Sequence, residues 1–195
     1  MDISYKIKFY SEWHCGSGLA SGAALDALVV KDKDRLPYVP GKTIKGLVRE
    51  AVENILFWRE EIVAKRALFV ETFGNAEDKA WDITDDSEVN KMSTGKAFFG
   101  NAELSDNIKA VIKKNDLENY LYRNITSTAI EEGVAKPNSL RQIETVVPCE
   151  LEGKIWSVPD DFVEQIKDGL KYIKRLGTNR NRGLGRCDVI IEKGV

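Results

Sequence analysis

Positions 3, 5, 7 and 9 of the chain are Ile, Tyr, Ile and Phe, whereas 4, 6 and 8 are Ser, Lys and Lys. That period of two predicts a half-buried first strand. The stretch HCGSGLASG that follows is small and glycine-rich, which marks a loop. Leu28, Val29 and Val30 predict a short extension, ended by the charged turn KDKDR. After LPYVPGK, the apolar positions Ile44, Leu47, Val48, Ala51, Val52, Ile55 and Leu56 fall on one helical face and predict a helix over about residues 43–58.

The middle of the chain is less periodic. Residues 71–96 are acidic and polar and read as a long surface insertion. AFFGNAEL at 97–104 reads as a short buried strand with a turn, and SDNIKAVIKKND as a weak strand or helix. Residues 123–145 carry Gly, Pro, Asn and Ser at their centre and read as a projecting insertion. VVPCELEGKIW predicts a strand or hairpin arm. A second helix is expected after Ser157 and Pro159, with the stripe Phe162, Ile166, Leu170, Ile173 and Leu176, with Lys171, Lys174 and Arg175 at its C-terminal end, and with Gly177 as its cap. RCDVIIE closes the order as a strand. This succession predicts an α+β sandwich of the ferredoxin-like type, an antiparallel sheet covered by two helices.

A chain of 195 residues, 43% hydrophobic and 31% charged, suits one domain with a real core. Its apolar runs are too short to span a bilayer, and MDISYKIKFY is not a signal region, so a cytoplasmic protein without a membrane partner is expected. The cysteines at 15, 149 and 187 are too few and too scattered for a disulfide framework. The net charge of −2 discourages a nucleic-acid partner until its distribution is considered. Residues 71–88 hold seven acids and one base, whereas 174–186 hold five bases and no acid.

The segment GTNRNRGLGR at 177–186 is the strongest candidate for chemistry. Its glycines allow close backbone approach, Thr178 and Asn179 can hydrogen-bond, and Arg180, Arg182 and Arg186 present forks suited to phosphate oxygens. PYVPGKTIKG ends in Gly-Lys-Thr at a helix start but has Leu36 where a phosphate-binding loop needs glycine, which argues against nucleotide hydrolysis. Lys42 and Lys45 at that helix start still form a candidate anion site, with a basic surface turn as the plain alternative. Asp26, in LDALVVKD, could ligate a divalent metal or orient a ribose 2′-hydroxyl, although an Asp in a loop is commonly a turn residue. His14 is the sole histidine and so the sole candidate for histidine-based acid–base chemistry, or a structural residue. With no ligand-type spacing among His14, Cys15, Cys149 and Cys187, no zinc site is expected.

In order, HCGSG, LDALVVKD, LPYVPGKTIKG, AFFGNAEL, SLRQIETVVP and GTNRNRGLGR resemble the RAMP superfamily of CRISPR-associated proteins, and within it the repeating backbone subunit of type III effector complexes. The resemblance implies a single domain over residues 1–195: a ferredoxin-like, RRM-like palm with a thumb inserted at 123–145. Such subunits stack head to tail along a CRISPR RNA guide, so the implied partners are guide RNA, complementary target RNA, further copies of the chain and other effector subunits. It further implies that His14, Lys42, Thr43, Lys45, Arg49, Arg141, Thr178, Asn179, Arg180, Asn181, Arg182, Gly183, Gly185 and Arg186 contact RNA. In catalytic members an Asp after the first strand cuts target RNA with a divalent metal, and the match falls on Asp26 with Mg²⁺. Two rival expectations remain: a guide-binding scaffold without chemistry, and a guide-processing endoribonuclease that uses His14.

Overall fold

A computed structural model describes residues 1–18, 26–74 and 94–192. Strand β1 (Ile3–Phe9) realises the alternation: Ile3, Tyr5, Ile7 and Phe9 are buried, while Ser4, Lys6 and Lys8 face the other way. It lies inside an antiparallel sheet ordered β10-β1-β9-β4-β2, where β2 is Tyr38–Val39, β4 Ala102–Glu103, β9 Glu150–Trp156 and β10 Cys187–Ile191. A two-residue β3 (Phe98–Phe99) pairs with β9 beside β4, so AFFGNAEL runs along β9 without the expected turn, as two short strands interrupted at Gly100–Asn101 where the register slips by one residue.

Helix α1 (Gly41–Trp58) buries Ile44, Val48, Ala51, Val52 and Leu56, as the period of its apolar residues requires. It packs on α4 (Val163–Tyr172), and the approach is close because a Cβ on Gly169 would stand only 2.6 Å from Val52 Cγ2. Both helices join the buried side of the sheet in one core with Leu151, Ile155, Phe162, Ile166 and Leu170. Each such fully buried side chain contributes about 1.5–3 kcal/mol through removal from water.

Several expectations need correction. The surface insertion expected at 71–96 begins inside a helix: α2 spans Ile62–Phe73 and buries Phe69, Thr72 and Phe73. IVAKRALFVETF is apolar on several sides rather than along one stripe, so its periodicity is weak. The part of that insertion at 75–93 lies outside the described residues. Of the strand or helix expected for SDNIKAVIKKND the helix forms, as α3 (Asp106–Lys114), with Asp106 in its first turn and Lys113 and Lys114 in its last. The described residues therefore contain four α-helices instead of two.

Helix α4 stops at Tyr172, and Gly177 does not cap it. Ile173 turns extended, at φ −72° and ψ 109°, because the following backbone pairs elsewhere. Arg175 bridges Arg186, and the Cys187 N–H donates to the Lys174 carbonyl at 3.0 Å. Ile173 and Leu176 stay buried in this extended stretch, and Lys174 pairs with Asp188 at 2.8 Å instead of serving a helix end.

Residues 122–146 form a long hairpin. Strand β5 (Tyr122–Ser127) pairs with β8 (Arg141–Val146) from Tyr122–Val146 to Ser127–Arg141, and β6 (Ile130–Glu131) with β7 (Val134–Ala135) closes the tip. Its outer part is exposed, whereas Glu144, Thr145 and Val146 at its foot are buried.

The open face of the sheet gathers Lys6 with three carboxylates, Glu152 at 3.1 Å and Glu150 and Glu192 each at 3.5 Å. The hydrogen bond and charge of Glu152 hold the Lys6 ammonium above its ordinary pKa. Exposed pairs of this kind add little stability, but they neutralise Lys6 as a contact for a polyanion.

Candidate nucleic-acid interface

The segment after β1 is where the other candidate elements meet. Trp13 is fully buried and stacks on Phe9, with centroids 4.6 Å apart and an 11° interplanar angle, which anchors the segment in the core. Its backbone then serves three neighbours. Trp13 exchanges bonds of 3.1 and 2.8 Å with Val146 at the hairpin foot. The Cys15 carbonyl accepts the Val30 N–H at 2.8 Å, and the Ser17 N–H donates to the Leu28 carbonyl at 2.9 Å. The carbonyls of Glu12 and His14 accept the N–H groups of Gly185 at 2.7 Å and Thr178 at 2.9 Å.

Those last two bonds staple both ends of 177–186 to the segment, and glycine is required at each. A Cβ on Gly177 (φ +99°) would stand 2.4 Å from the His14 carbonyl oxygen, and one on Gly185 (φ +68°) would stand 1.9 Å from that of Leu176. Between the staples, Arg180–Arg182 forms a 3-10 turn between Asn179 and Gly183, both left-handed. The result displays Thr178, Arg180, Asn181, Arg182 and Arg186 to solvent, while Gly185 is buried. Arg175 donates to the Arg180 carbonyl at 3.2 Å and steadies the turn from below.

The loop faces the hairpin. Arg182 and Arg141 line one cleft of about 600 Å³ with Lys136 and the polar Ser127, Thr128, Asn138 and Ser139. Lys136, Ser127, Thr128 and Ser139 were not singled out from the sequence, which has no period of two here: Tyr122 and Ile125 stand three apart, as do Ile143 and Val146, and only the pairing of the two strands brings these residues together.

Asp26 stands beside the shaft of the same hairpin, beyond its buried foot. Its N–H donates to the Gln142 carbonyl at 2.8 Å, and its Oδ2 accepts the Gln142 N–H at 2.7 Å. The side chain is exposed, and its other carboxylate oxygen has no hydrogen bond among the described residues. Tertiary structure thus places Asp26 one residue from Arg141, across 115 positions of sequence.

Lys42, Lys45 and Arg49 recur at helical spacing on α1 and line a second cleft of about 520 Å³ with Phe73, Gly74, Gly95 and Phe98. Phe98 is 65% exposed because it alternates with the buried Phe99. The anion site expected at the start of α1 is reduced, since the Gly41 N–H donates to Asn101 Oδ1 at 2.9 Å and that of Thr43 to Pro40 at 2.9 Å. Gly41 serves packing: a Cβ there would lie 2.0 Å from the Phe99 carbonyl oxygen. Thr43 is turned toward the Cys15 thiol, to which it hydrogen-bonds.

His14 needs the clearest correction. It is 2% exposed, and its Nδ1 lies 2.6 Å from the Glu144 carbonyl oxygen, so the imidazole is buried against β8 and offers no surface to RNA or to a scissile bond. Its backbone, which holds Thr178, is what serves the interface. The thiols are inert by environment: burial pushes Cys149 up to about 11 and Cys187 up to about 12. These two flank Phe9 on opposite sides of β1, about two strand spacings or roughly 10 Å apart, beyond disulfide reach. No cluster of three or more His, Cys, Asp or Glu side chains able to hold a metal occurs among the described residues. Nor is any described helix long and apolar enough to cross a membrane.

Fold and site together define an α+β protein in which a glycine-stapled arginine loop and an exposed hairpin flank one carboxylate. The chain belongs to the RAMP superfamily, whose family model matches residues 6–188. Among solved structures it is similar to a chain in the cryo-EM structure of the type III-B Cmr-beta bound to cognate target RNA, at 11% identity and a TM-score of 0.68 over 98% of this chain and 97% of that one. A chain of type III-B Cmr-beta in its apo state is similar at 12% identity and a TM-score of 0.68, over 99% and 98%. At these identities the likeness is one of fold. Comparison with curated proteins finds no match.

Proposed function

We propose that this protein is a backbone subunit of a type III CRISPR effector complex, which binds guide RNA and cuts the complementary target RNA beside Asp26. The observation that carries the reading is the placement of the Asp26 carboxylate against the shaft of a hairpin whose Arg141 shares a cleft with Arg182 of the stapled loop. Membership of the RAMP superfamily and the Cmr-beta likenesses support it. Taken in chain order, β1, β4, β9 and β10 lie in the sheet as 4-1-3-2, with α1 and α4 packed together, which supports a ferredoxin-like palm. The β5–β8 hairpin is then the thumb, and copies of the chain stack head to tail, since a heterologous contact that does not close yields a filament.

In this reading Arg141, Arg182, Arg180 and Arg186 hold phosphates, with Lys42, Lys45 and Arg49 of α1 holding a further stretch of guide. Because phosphate contacts are read through salt, Arg182→Ala should weaken guide binding on any sequence and lower the slope of log affinity against log salt by about one. Filter binding across a salt series measures this, and an unchanged slope would remove Arg182 from the contact.

Asp26 accepts or orients the proton of the ribose 2′-hydroxyl; the 2′ oxygen attacks the adjacent phosphorus, the bond to the 5′ oxygen breaks, and that oxygen takes a proton. The products are a 2′,3′-cyclic phosphate and a 5′-hydroxyl. One open carboxylate oxygen suits Mg²⁺, which takes one or two carboxylates and completes its shell with substrate oxygens and waters. Bound there by Asp26, Mg²⁺ would neutralise charge developing on the phosphate. The test is cleavage of complementary RNA by the assembled complex. Products at constant spacing are expected, and a single 2′-deoxy nucleotide at the cut position should spare that position alone. An intact ribose target would leave the subunit a guide-binding scaffold.

A further inference from the structure

We infer that Glu144 is a positioning residue for Asp26, an inference that rests on the reading of Asp26 as the cleaving group. Glu144 is a buried carboxylate, 7% exposed, on the strand that carries Arg141. A buried charge is costly unless paired and hydrogen-bonded, so what it pairs with reveals what it holds.

All its partners lie on two segments. Its N–H donates to the Ala27 carbonyl at 3.1 Å, its Oε2 accepts the Val29 N–H at 3.0 Å, and its Oε1 accepts Lys31 Nζ at 2.7 Å. Its carbonyl faces His14 Nδ1 at 2.6 Å. Residues 26–31 form no regular strand; beside the Asp26–Gln142 bonds, their backbone meets β8 in one parallel bridge between Ala27 and Ile143. The next acceptor along β8 would be the Glu144 carbonyl, which is bonded to His14. The Glu144 carboxylate substitutes for it and extends the attachment by one rung, to Val29.

Lys31 closes the arrangement from outside. Its ammonium stands 3.9 Å from the centroid of the Tyr122 ring, and the Tyr122 hydroxyl donates to the Arg35 carbonyl at 2.6 Å. Residues 26–31 are thereby held to both strands of the hairpin, and the carboxylate of Asp26 is fixed relative to Arg141. Without the Glu144 carboxylate, the Val29 N–H and the Lys31 ammonium lose their acceptor, and the attachment of the segment to β8 shrinks to Asp26 and Ala27, while its bonds from Leu28 to Ser17 and from Val30 to Cys15 still hold its other edge. A displacement of about 1 Å at a reacting group costs on the order of 100-fold in rate.

The experiment uses the full chain assembled with guide RNA and its partner subunits, and measures cleavage at saturating target separately from guide and target affinity. Glu144→Ala should lower the saturated rate about 100-fold while both affinities stay within about twofold. Glu144→Gln keeps an oxygen for the Val29 N–H and should recover to within about fivefold of the parent. Added to Asp26→Asn, Glu144→Ala should cost nothing more, since the group it positions is already gone. Should Glu144→Ala not assemble, Lys31→Met, at a partly exposed position, carries the same test with an expected loss of about tenfold. Parent-like cleavage by Glu144→Ala, or a loss of affinity equal to the loss of rate, overturns the inference. If Asp26→Asn itself cuts like the parent, the reading of Asp26 fails instead, and the two failures are thereby distinguished.

Discussion

Asp26→Asn should abolish target cleavage by the assembled complex, by roughly 1,000-fold or more, while guide binding and assembly remain as in the parent. Asparagine is nearly isosteric and keeps an amide oxygen to accept the Gln142 N–H that the carboxylate accepts at 2.7 Å. The backbone bond from the Asp26 N–H to the Gln142 carbonyl is untouched by the change. What disappears is the negative charge, and with it both the capacity to take a proton from a 2′-hydroxyl and the affinity for a divalent cation. The measurement is a single-turnover time course with labelled complementary RNA, alongside a guide-binding titration. Products at the parent's rate and spacing would sink the assignment and transfer the chemistry to another subunit or another residue.

The second large effect concerns shape. Gly185→Ala should destabilise the protein by on the order of 3 kcal/mol and weaken guide RNA binding at least about tenfold. The left-handed backbone at φ +68° alone costs a non-glycine residue about 1–2 kcal/mol, and here the added Cβ would also meet the Leu176 carbonyl oxygen at 1.9 Å. Relief by a local shift is blocked on both sides, because the Gly185 N–H donates to Glu12 at 2.7 Å and its carbonyl accepts the Leu176 N–H at 2.9 Å. Moving it also strains the bond from the Arg186 N–H to Ser11 Oγ at 2.9 Å, and so tilts the turn that displays Arg180 and Arg182. Gly183→Ala is the control: its φ is also positive, +92°, but nothing lies within 4 Å of the added Cβ, so only the backbone cost of about 1–2 kcal/mol applies. Thermal melts and binding isotherms of the two variants separate these contributions. Equal behaviour would mean that the close approach at Gly185 is not what holds the loop.

Where burial followed a strict period, sequence reading was sufficient. The alternation from Ile3 to Phe9 and the face from Ile44 to Leu56 became β1 and α1 because one side of each meets the core along its whole length. It failed where pairing at a distance overruled local periodicity. The stripe that continues through Ile173 and Leu176 suggests a helix reaching Gly177, yet Lys174 and Arg175 give their backbone to 186–187 and the helix ends at Tyr172. In α2 the residues are apolar on more than one side, so no stripe announced the helix. His14 illustrates the same limit at the site: its chemistry suggested contact with RNA, but only the fold reveals that its ring is spent on Glu144 and that its carbonyl carries the function.

From the sequence alone came the α+β class, the basic and glycine-rich character of 177–186, and Asp26, Arg141 and Lys42 as separate candidates. All but Arg141 follow from composition and local spacing, which a linear chain displays directly; Arg141 was implied by the family resemblance. Only the tertiary structure decided that Asp26 and Arg141 adjoin, that Arg141 and Arg182 share a cleft, and that Glu144 ties the Asp26 segment to the hairpin. Those relations span from about 40 to more than 100 residues, and the bonds from the two carboxylates end on backbone N–H groups, which every residue except proline can offer and which therefore leave no mark on the residue type of the partner.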